Sequence, residues 1–169
     1  MPRLTKDSYF ILMAIVASLR STCKSRQIGA VFVDENYHVL STGYNGPAKG
    51  LNTCDPCHRS NAPSGHNLNK CMAVHAEQNA LLQCSNVNII NTLYVTVSPC
   101  FECIKVLLNT PCDRIIYLND YTHTESKHMW VAMNRQWIKY KFSPSDINVV
   151  SNMFGIKDVE MSHIIKYIT

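Results

Sequence analysis

The chain has 169 residues, a length that suits one domain with a sizeable core and leaves no room for two ordinary catalytic domains. Its formal net charge of +4 is modest and no two Lys or Arg residues are adjacent, so the composition does not indicate a nucleic-acid-binding protein. The eight cysteines need an explanation as disulfides, metal ligands or buried thiols.

The first predicted element is a helix over the apolar residues 9–19, with Asp7-Ser8 as its N-terminal cap. This stretch follows Arg3 and Lys6 and superficially resembles a signal peptide, but no small-x-small cleavage site follows it and it is too short to span a bilayer. We therefore expect a cytoplasmic protein with no membrane partner. In that reducing compartment clustered cysteines more often bind metal than form disulfides, which favours zinc.

A hairpin and a long loop are predicted next. Residues 28–33 form an apolar, β-branched-rich strand, residues 34–36 have turn chemistry, and residues 38–42 resume an extended pattern. Residues 43–65 are rich in Gly, Pro, Asn and Ser. We interpret them as a long loop, and loops of that length in compact domains usually serve function.

Helices and strands then alternate. The pattern predicts a helix over residues 73–84, a strand over 93–97, a helix over 101–108 and a strand over 114–118. Such alternation after a hairpin indicates an α/β sandwich with a mixed sheet, antiparallel at one edge and parallel where helices cross over. The active site is then expected at the strand ends.

The last part of the chain has a weaker pattern. It predicts a helix over residues 125–137, an edge strand over 139–142, and a helix that opens at Ser143-Pro144 with Ser143 as its cap. Residues 1–169 are interpreted as one domain. The apolar residues near the end are interpreted as core or interface residues: Met153, Phe154, Ile156, Met161, Ile164 and Ile165.

Two short motifs carry the residue types of a catalytic zinc site. His75-Ala76-Glu77 lies at the start of one predicted helix, and Pro99-Cys100-Phe101-Glu102-Cys103 lies at the start of another. The N-terminus of a helix favours the thiolate form of cysteine. Two thiolates and one imidazole leave the fourth tetrahedral position of zinc open, as in a catalytic site and not in a closed structural one.

Glu77 is the predicted proton carrier of this site. A cytosine loses its amino group when water attacks C4, and that reaction needs one group to take a proton from the water and to protonate N3 and the departing amine. The pairing of H-x-E with P-C-x-x-C is a general signature of zinc-dependent nucleobase deaminases. The sequence matches this signature in full.

A zinc ribbon is the alternative interpretation of these cysteines. It would combine Cys100 and Cys103 with Cys54 and Cys57, but the gap between the two pairs is far longer than the roughly 15–20 residues typical of that motif. It would also leave Glu77 unexplained. A non-catalytic zinc-binding module, in which Glu77 would be dispensable, is open to the same objection.

Over residues 11–121 the chain resembles the deoxycytidylate deaminase family, phage type. The matching segments are Gln27-Ile28-Gly29-Ala30-Val31, Ser41-Thr42-Gly43-Tyr44-Asn45-Gly46-Pro47, His75-Ala76-Glu77-Gln78-Asn79-Ala80, and Leu93-Tyr94-Val95-Thr96 leading into Ser98-Pro99-Cys100. The resemblance implies a three-layer α/β/α cytidine deaminase-like sandwich with a five-stranded mixed sheet. It also implies hydrolysis of dCMP to dUMP and ammonia, which feeds dTMP synthesis.

The same resemblance implies substrate-binding residues. It places Asn45 near the deoxyribose hydroxyl, the Ala76 N–H on the pyrimidine carbonyl, and Tyr121 near the base or phosphate, with Ser98 in the same group. Arg26 is a candidate for the phosphate because arginine binds phosphate in a bidentate manner. The alternatives are a turn role for Asn45 and a solvated loop position for Arg26.

Four further cysteines suggest a second, structural zinc. Phage-type members of the resembling family carry such a zinc in this loop with varying ligands, so His58 or His66 is an alternative ligand. The other interpretation is buried thiols, which we expect for Cys84 and Cys112. The predicted ligands are Cys23, at the end of the first helix, Cys54, Cys57 and Cys71.

Residues 43–47 resemble the family's effector segment. The resemblance implies activation by dCTP and inhibition by dTTP, with Mg²⁺ on the triphosphate and a homohexamer as the assembly. Asn86 stands near the place where phage members carry an arginine that affects regulation. The predicted effector-binding residues are Gly43, Tyr44, Gly46 and Lys49.

The remaining alternative is a deaminase of other cytosine nucleotides, of tRNA or of single-stranded DNA. Enzymes that act on nucleic acid need a basic groove and aromatic platforms for the flanking nucleotides. The charge of this chain is scattered, so no nucleic-acid partner is expected.

Overall fold

The computed structural model of the protein describes residues 3–59, 61–63 and 66–154. In chain order its helices and strands are α1 (Lys6–Ser18), β1 (Gly29–Val33), β2 (Val39–Tyr44), β3 (Gly46–Pro47), β4 (Ala73–Val74), α2 (Ala76–Gln83), β5 (Thr92–Val97), α3 (Phe101–Leu107), β6 (Arg114–Asn119), α4 (Glu125–Ala132), β7 (Gln136–Lys139) and α5 (Pro144–Phe154).

A five-stranded mixed sheet forms the centre of the fold, in the order β2-β1-β5-β6-β7. β1 pairs antiparallel with both β2 and β5, whereas β5, β6 and β7 run parallel. The antiparallel pairs belong to the hairpin side and the parallel pairs follow helical crossovers. This confirms the predicted mixed sheet and its arrangement.

Helices cover both faces of the sheet. On one face α1 packs Phe10, Ile11 and Ala14 against the strands, and on the other face α2, α3 and α4 pack side chains such as Ala80 and Trp130. β1 is buried along its whole length, because alternate residues of a strand point to opposite faces and both faces are covered. The prediction of a three-layer α/β/α sandwich is confirmed.

Gly29 lets α1 approach the sheet closely. A Cβ atom on Gly29 would lie 2.0 Å from the carbonyl oxygen of Ala14 and 2.5 Å from the backbone nitrogen of Ser18. Any side chain here would push α1 away from β1, so the glycine is required by packing.

Several element boundaries in the first half differ from the prediction. Residues 43–44 belong to β2 and residues 46–47 form β3, so the predicted loop over residues 43–65 is partly extended. Thr5 caps α1, because its side chain accepts a hydrogen bond from the Ser8 N–H at 3.2 Å, so the cap at Asp7-Ser8 was wrong. The helix predicted from residue 73 begins at Ala76, since residues 73–74 pair with β3 across the long loop.

The helix predicted over residues 125–137 ends at Ala132, and residues 136–139 form strand β7. Asn134 takes a positive φ of 59° and ends the helix. Gln136 and Trp137, which the sequence pattern assigned to the helix, are extended because they pair with β6. The edge strand therefore begins before the predicted strand over residues 139–142 and overlaps it at Lys139.

α5 begins where the sequence predicted it. The Asp146 N–H donates to the Ser143 hydroxyl at 3.1 Å, which confirms Ser143 as the cap. The side chains of Met153 and Phe154, and all of Ile156, Met161, Ile164 and Ile165, lie outside the described residues. Within the described part of the chain, every helix is too short or too polar to cross a membrane.

Candidate active site

The three predicted ligands of the catalytic metal come together where two helices begin. His75 directly precedes α2, and its backbone N–H donates to the Gln78 side chain at 3.0 Å. Cys100 directly precedes α3 and Cys103 lies in its first turn. The Sγ atoms of Cys100 and Cys103 lie 3.3 Å and 3.4 Å from Nδ1 of His75.

This group fits zinc. Ideal tetrahedral zinc bonds place a nitrogen and a sulfur ligand roughly 3.5 Å apart, close to the separations observed. Among the His, Cys, Asp and Glu side chains of residues 3–59, 61–63 and 66–154, one group of three or more has all its ligand atoms within 4.8 Å of one another. This group is His75, Cys100 and Cys103. One imidazole and two thiolates are the donor set of a catalytic zinc with one open position.

The three side chains also shift one another's pKa values. The hydrogen bond with Cys100 raises the pKa of His75 to about 9. Hydrogen bonds from Cys103 and His75 lower the pKa of Cys100 to about 4, whereas the bond with Cys100 and burial raise the pKa of Cys103. The group thus stabilises negative charge on the Cys100 sulfur, and a bound metal ion would take the place of the protons on these side chains.

Glu77 lies beside this group in the first turn of α2. Its side chain is only 4% exposed, and burial raises the pKa of its carboxyl to about 7. Glu77 and His75 line the same cavity, of about 150 Å³, which Cys100 also lines.

Four of the predicted substrate-binding residues line this cavity: Arg26, Asn45, Ser98 and Tyr121. The fifth, Ala76, lies between His75 and Glu77 with a fully buried side chain. The structure therefore brings the predicted substrate residues and the predicted catalytic residues to one place. The role of each substrate residue stays a prediction.

Asn45 and Ser98 make hydrogen bonds that shape the cavity wall. The Asn45 side-chain oxygen accepts from the Ile28 N–H at 2.8 Å and from the Ser21 hydroxyl at 2.7 Å, and its amide donates to the Arg26 carbonyl at 2.8 Å. Ser98 accepts from the Tyr121 N–H at 2.7 Å. Both side chains therefore hold neighbouring cavity residues in position.

Arg59 is a cavity residue that the sequence prediction missed. It lies in the long loop, is half-buried, and lines the cavity together with Arg26 and Glu77. No local sequence pattern indicated Arg59, because its position at the cavity depends on contacts between distant segments of the chain.

The four cysteines of the predicted structural zinc site line a second cavity, with His58. Their ligand atoms do not form a cluster within 4.8 Å in the part of the chain that the structure describes. Cys23 lies beyond the end of α1 at Ser18 and not at the helix end. The second zinc stays a prediction. Of the two expected buried thiols, Cys112 is buried and Cys84 is half-buried.

The predicted effector residues lie on or next to the hairpin and do not line the cavity that contains Glu77. Gly43 has a packing role, because a Cβ atom there would lie 2.2 Å from the Ala76 carbonyl oxygen. The Tyr44 carbonyl accepts from the Asn79 side chain at 2.7 Å. Gly46 pairs with Val74 in the two-stranded sheet, and Lys49 is exposed in a turn.

Asn86 has a local structural role. Its side chain accepts from the Asn88 N–H at 3.0 Å and caps a short 3₁₀ helix.

A family comparison agrees with the site. Residues 4–119 match the family described as the cytidine and deoxycytidylate deaminase zinc-binding region, and this match covers more than half of the chain. The chain belongs to this family of zinc-binding deaminases.

Two individual relatives are named deoxycytidylate deaminase. The chain is 40% identical to the deoxycytidylate deaminase of Mycobacterium phage D29 over 119 residues, which cover 66% of this chain and 92% of the phage protein. It is 37% identical to the deoxycytidylate deaminase of Saccharomyces cerevisiae over 123 residues, which cover 70% of this chain and 39% of the yeast protein. The chain thus spans less than half the length of the yeast relative.

A solved structure shows the same fold. The dCMP deaminase of the cyanophage S-TIM5, in complex with dCMP and dUMP, superposes with a TM-score of 0.66 at 27% identity. The superposition covers 82% of this chain and 100% of the cyanophage chain.

The prediction that residues 1–169 form a single domain stays a prediction.

Proposed function

We propose that the protein deaminates dCMP, so that the amino group at C4 is replaced by the oxygen of water and dUMP and ammonia are released. The observation that carries this proposal is the buried Glu77 carboxyl in the cavity that His75 and Cys100 line, two members of the His75, Cys100 and Cys103 group. The relatives named as deoxycytidylate deaminases and the solved relative with dCMP and dUMP support dCMP as the substrate.

The catalytic residues have two roles, which are binding of a metal ion and transfer of protons. His75, Cys100 and Cys103 would hold zinc, which when bound makes water a nucleophile at neutral pH. Glu77 takes a proton from the attacking water and delivers protons to N3 of the ring and to the departing amine. Because Glu77 is almost fully buried, bulk water does not compete for these protons.

The other cavity residues orient the nucleotide. The Ala76 N–H lies in the first turn of α2, where backbone N–H groups lack partners within the helix, so it can donate to the pyrimidine carbonyl. Arg26 binds the phosphate, and Tyr121 lies against the base or phosphate. Asn45 binds the deoxyribose hydroxyl through the amide hydrogen that its bond to Arg26 does not use.

The test is deamination by the purified zinc-loaded protein, followed as the loss of cytosine absorbance. We expect conversion of dCMP, and a loss of about 10²- to 10⁴-fold in Glu77→Gln with zinc retained, because that variant cannot carry a proton. Glu102→Gln is the matched control, since Glu102 is an exposed first-turn glutamate that pairs with Lys105 at 2.7 Å. It should leave the rate unchanged.

The same assay separates the alternatives when CMP, dCTP, cytidine and short single-stranded DNA are supplied beside dCMP. Conversion of DNA without conversion of dCMP would show that the site is correct and the substrate class wrong. Activity in Glu77→Gln equal to the wild type would remove Glu77 from the mechanism.

We further propose regulation of a cytoplasmic homohexamer that feeds dTMP synthesis, with dCTP as activator, dTTP as inhibitor and Mg²⁺ on the triphosphate. The resemblance of residues 43–47 to an effector segment supports this, and so does the position of Gly43, Tyr44, Gly46 and Lys49 outside the lining of the cavity that contains Glu77. Titration of dTTP at low dCMP tests it, and a flat response would end the regulatory proposal. Light scattering measures the subunit number.

A further inference from the structure

The cavity that contains Glu77 has a second arginine besides Arg26. Arg59 reaches it from the long loop. Its Nε donates to the His66 carbonyl at 2.9 Å, and among the described residues its two Nη groups have no hydrogen-bond acceptor, so they can bind a ligand. These two groups form the fork that binds phosphate in a bidentate manner.

The positive charges at the cavity are not balanced by carboxylates. Within the described part of the chain, the ion pairs involve neither Arg26 nor Arg59. Glu77 is the one carboxyl that lines the cavity among the described residues, and it belongs to the catalytic group. Two guanidinium groups without acidic partners in a half-buried place attract an anion.

Arg26, Arg59 and Tyr121 line the same cavity. Burial raises the pKa of the Tyr121 phenol, while the charges of Arg59 and Arg26 each lower it. Both guanidinium groups therefore lie within electrostatic reach of one cavity side chain, from two different segments of the chain.

We propose that Arg59 is a specificity-determining residue, which together with Arg26 binds the 5′-phosphate of the substrate and restricts the enzyme to phosphorylated nucleosides. This proposal rests on the proposed deamination of dCMP and assigns the discrimination between nucleotide and nucleoside to a particular residue. Arg59 holds the phosphate end of the substrate while the base reaches Glu77, so it affects substrate binding and not the proton transfers.

The experiment compares wild type, Arg59→Gln and Arg59→Lys with dCMP and with deoxycytidine. We expect Arg59→Gln to raise KM for dCMP on the order of 10- to 100-fold, the range given by the loss of a hydrogen-bonded charge, with kcat changed little. Arg59→Lys keeps the charge without the fork, so its KM should fall between the two. Activity on deoxycytidine should be equal in all three proteins.

A binding measurement keeps the test independent of turnover. Calorimetric titration of the zinc-loaded protein with dUMP should show an affinity loss of the same size in Arg59→Gln, whereas deoxyuridine should bind equally to both. Lys127→Gln is the control for net charge, because Lys127 is exposed on α4, and it should change neither value.

The outcomes separate the two proposals. If the wild type fails to deaminate dCMP, the proposed function is wrong. If the wild type deaminates dCMP but Arg59→Gln keeps its KM and its dUMP affinity within about twofold, the assignment of Arg59 is wrong. Equal losses for dUMP and deoxyuridine would show a general structural effect and would also overturn the assignment.

Discussion

The two cysteine-containing sites differ in what holds their side chains. His75, Cys100 and Cys103 belong to helix starts that are packed on the central sheet, and their ligand atoms lie within 4.8 Å of one another. Cys54 and Cys57 belong to a loop, and with Cys23 and Cys71 they line a cavity without forming such a cluster. The comparison indicates that the fold preorganises the first site, whereas the second site, if zinc occupies it, is assembled by the metal.

Removing a ligand of the preorganised site should have the largest effect. Cys100→Ser should lose zinc from this site and reduce deamination of dCMP by at least about 10³-fold, because the nucleophile depends on the metal. Atomic absorption gives zinc per chain and circular dichroism gives folding. Cys84→Ser is the control, since Cys84 is half-buried at the end of α2 and should keep both zinc and activity. Unfolding of Cys100→Ser on the scale of a chelated zinc finger would contradict preorganisation.

Removing a ligand of the loop site should affect stability more than chemistry. Cys57→Ser should lower the zinc content by one ion per chain and decrease the melting temperature, while kcat at saturating dCMP is kept. KM should rise, because Arg59 follows Cys57 by two residues and lines both cavities. An unchanged zinc content would exclude Cys57 as a ligand.

The packing beneath the first site offers a sharper test of its preorganisation. Gly43→Ala would place a Cβ atom 2.2 Å from the Ala76 carbonyl and 2.4 Å from the Ala80 nitrogen, so α2 must move and shift Glu77. We expect a loss of about 1–3 kcal/mol in the free energy of unfolding together with a lower kcat. Urea denaturation and the dCMP assay measure the two effects.

Gly46→Ala is the matched control for this change. Its Cβ would lie 3.5 Å from the Thr22 hydroxyl, an ordinary contact, so stability and kcat should be nearly unchanged. Gly43 and Gly46 were both predicted to bind effectors. Equal effects of the two substitutions on dTTP inhibition, with no effect of Gly43→Ala on stability, would favour that role over packing.

The difference between the two sites also explains what the sequence could predict. The spacing of His75, Glu77, Cys100 and Cys103 indicated a site because short motifs at helix starts have nearly fixed local geometry. The arrangement of Cys54, Arg59 and the rest of the loop depends on contacts between distant segments, which no local pattern records. For the same reason Gln136 and Trp137, the first two residues of β7, were assigned to a helix: their extended form comes from pairing with β6.

The start of α5 lies outside the lining of both cysteine-containing cavities. A substitution there provides a control that changes stability without changing either site. Asp146 at the start of α5 is 2% exposed, and its carboxylate accepts hydrogen bonds from the Thr5 N–H at 3.1 Å and from Ser143. Burial alone would raise the pKa of Asp146, but the bonds from Ser143, Thr5 and Ser8 outweigh it and lower the pKa below its usual 3.8. The charged carboxylate therefore joins α5 to the start of α1.

Asp146→Asn should lower the free energy of unfolding by about 1–2 kcal/mol at pH 7 and leave zinc content, kcat and KM unchanged. Because the pKa of Asp146 is lower in the folded than in the unfolded protein, its contribution is present above the unfolded pKa and is lost as the pH falls through the folded value. The stability difference between variant and wild type should therefore shrink below about pH 4. If Asp146→Asn raised KM as Cys57→Ser is expected to do, the rise in Cys57→Ser would reflect general destabilisation and not the link between the loop cysteines and Arg59.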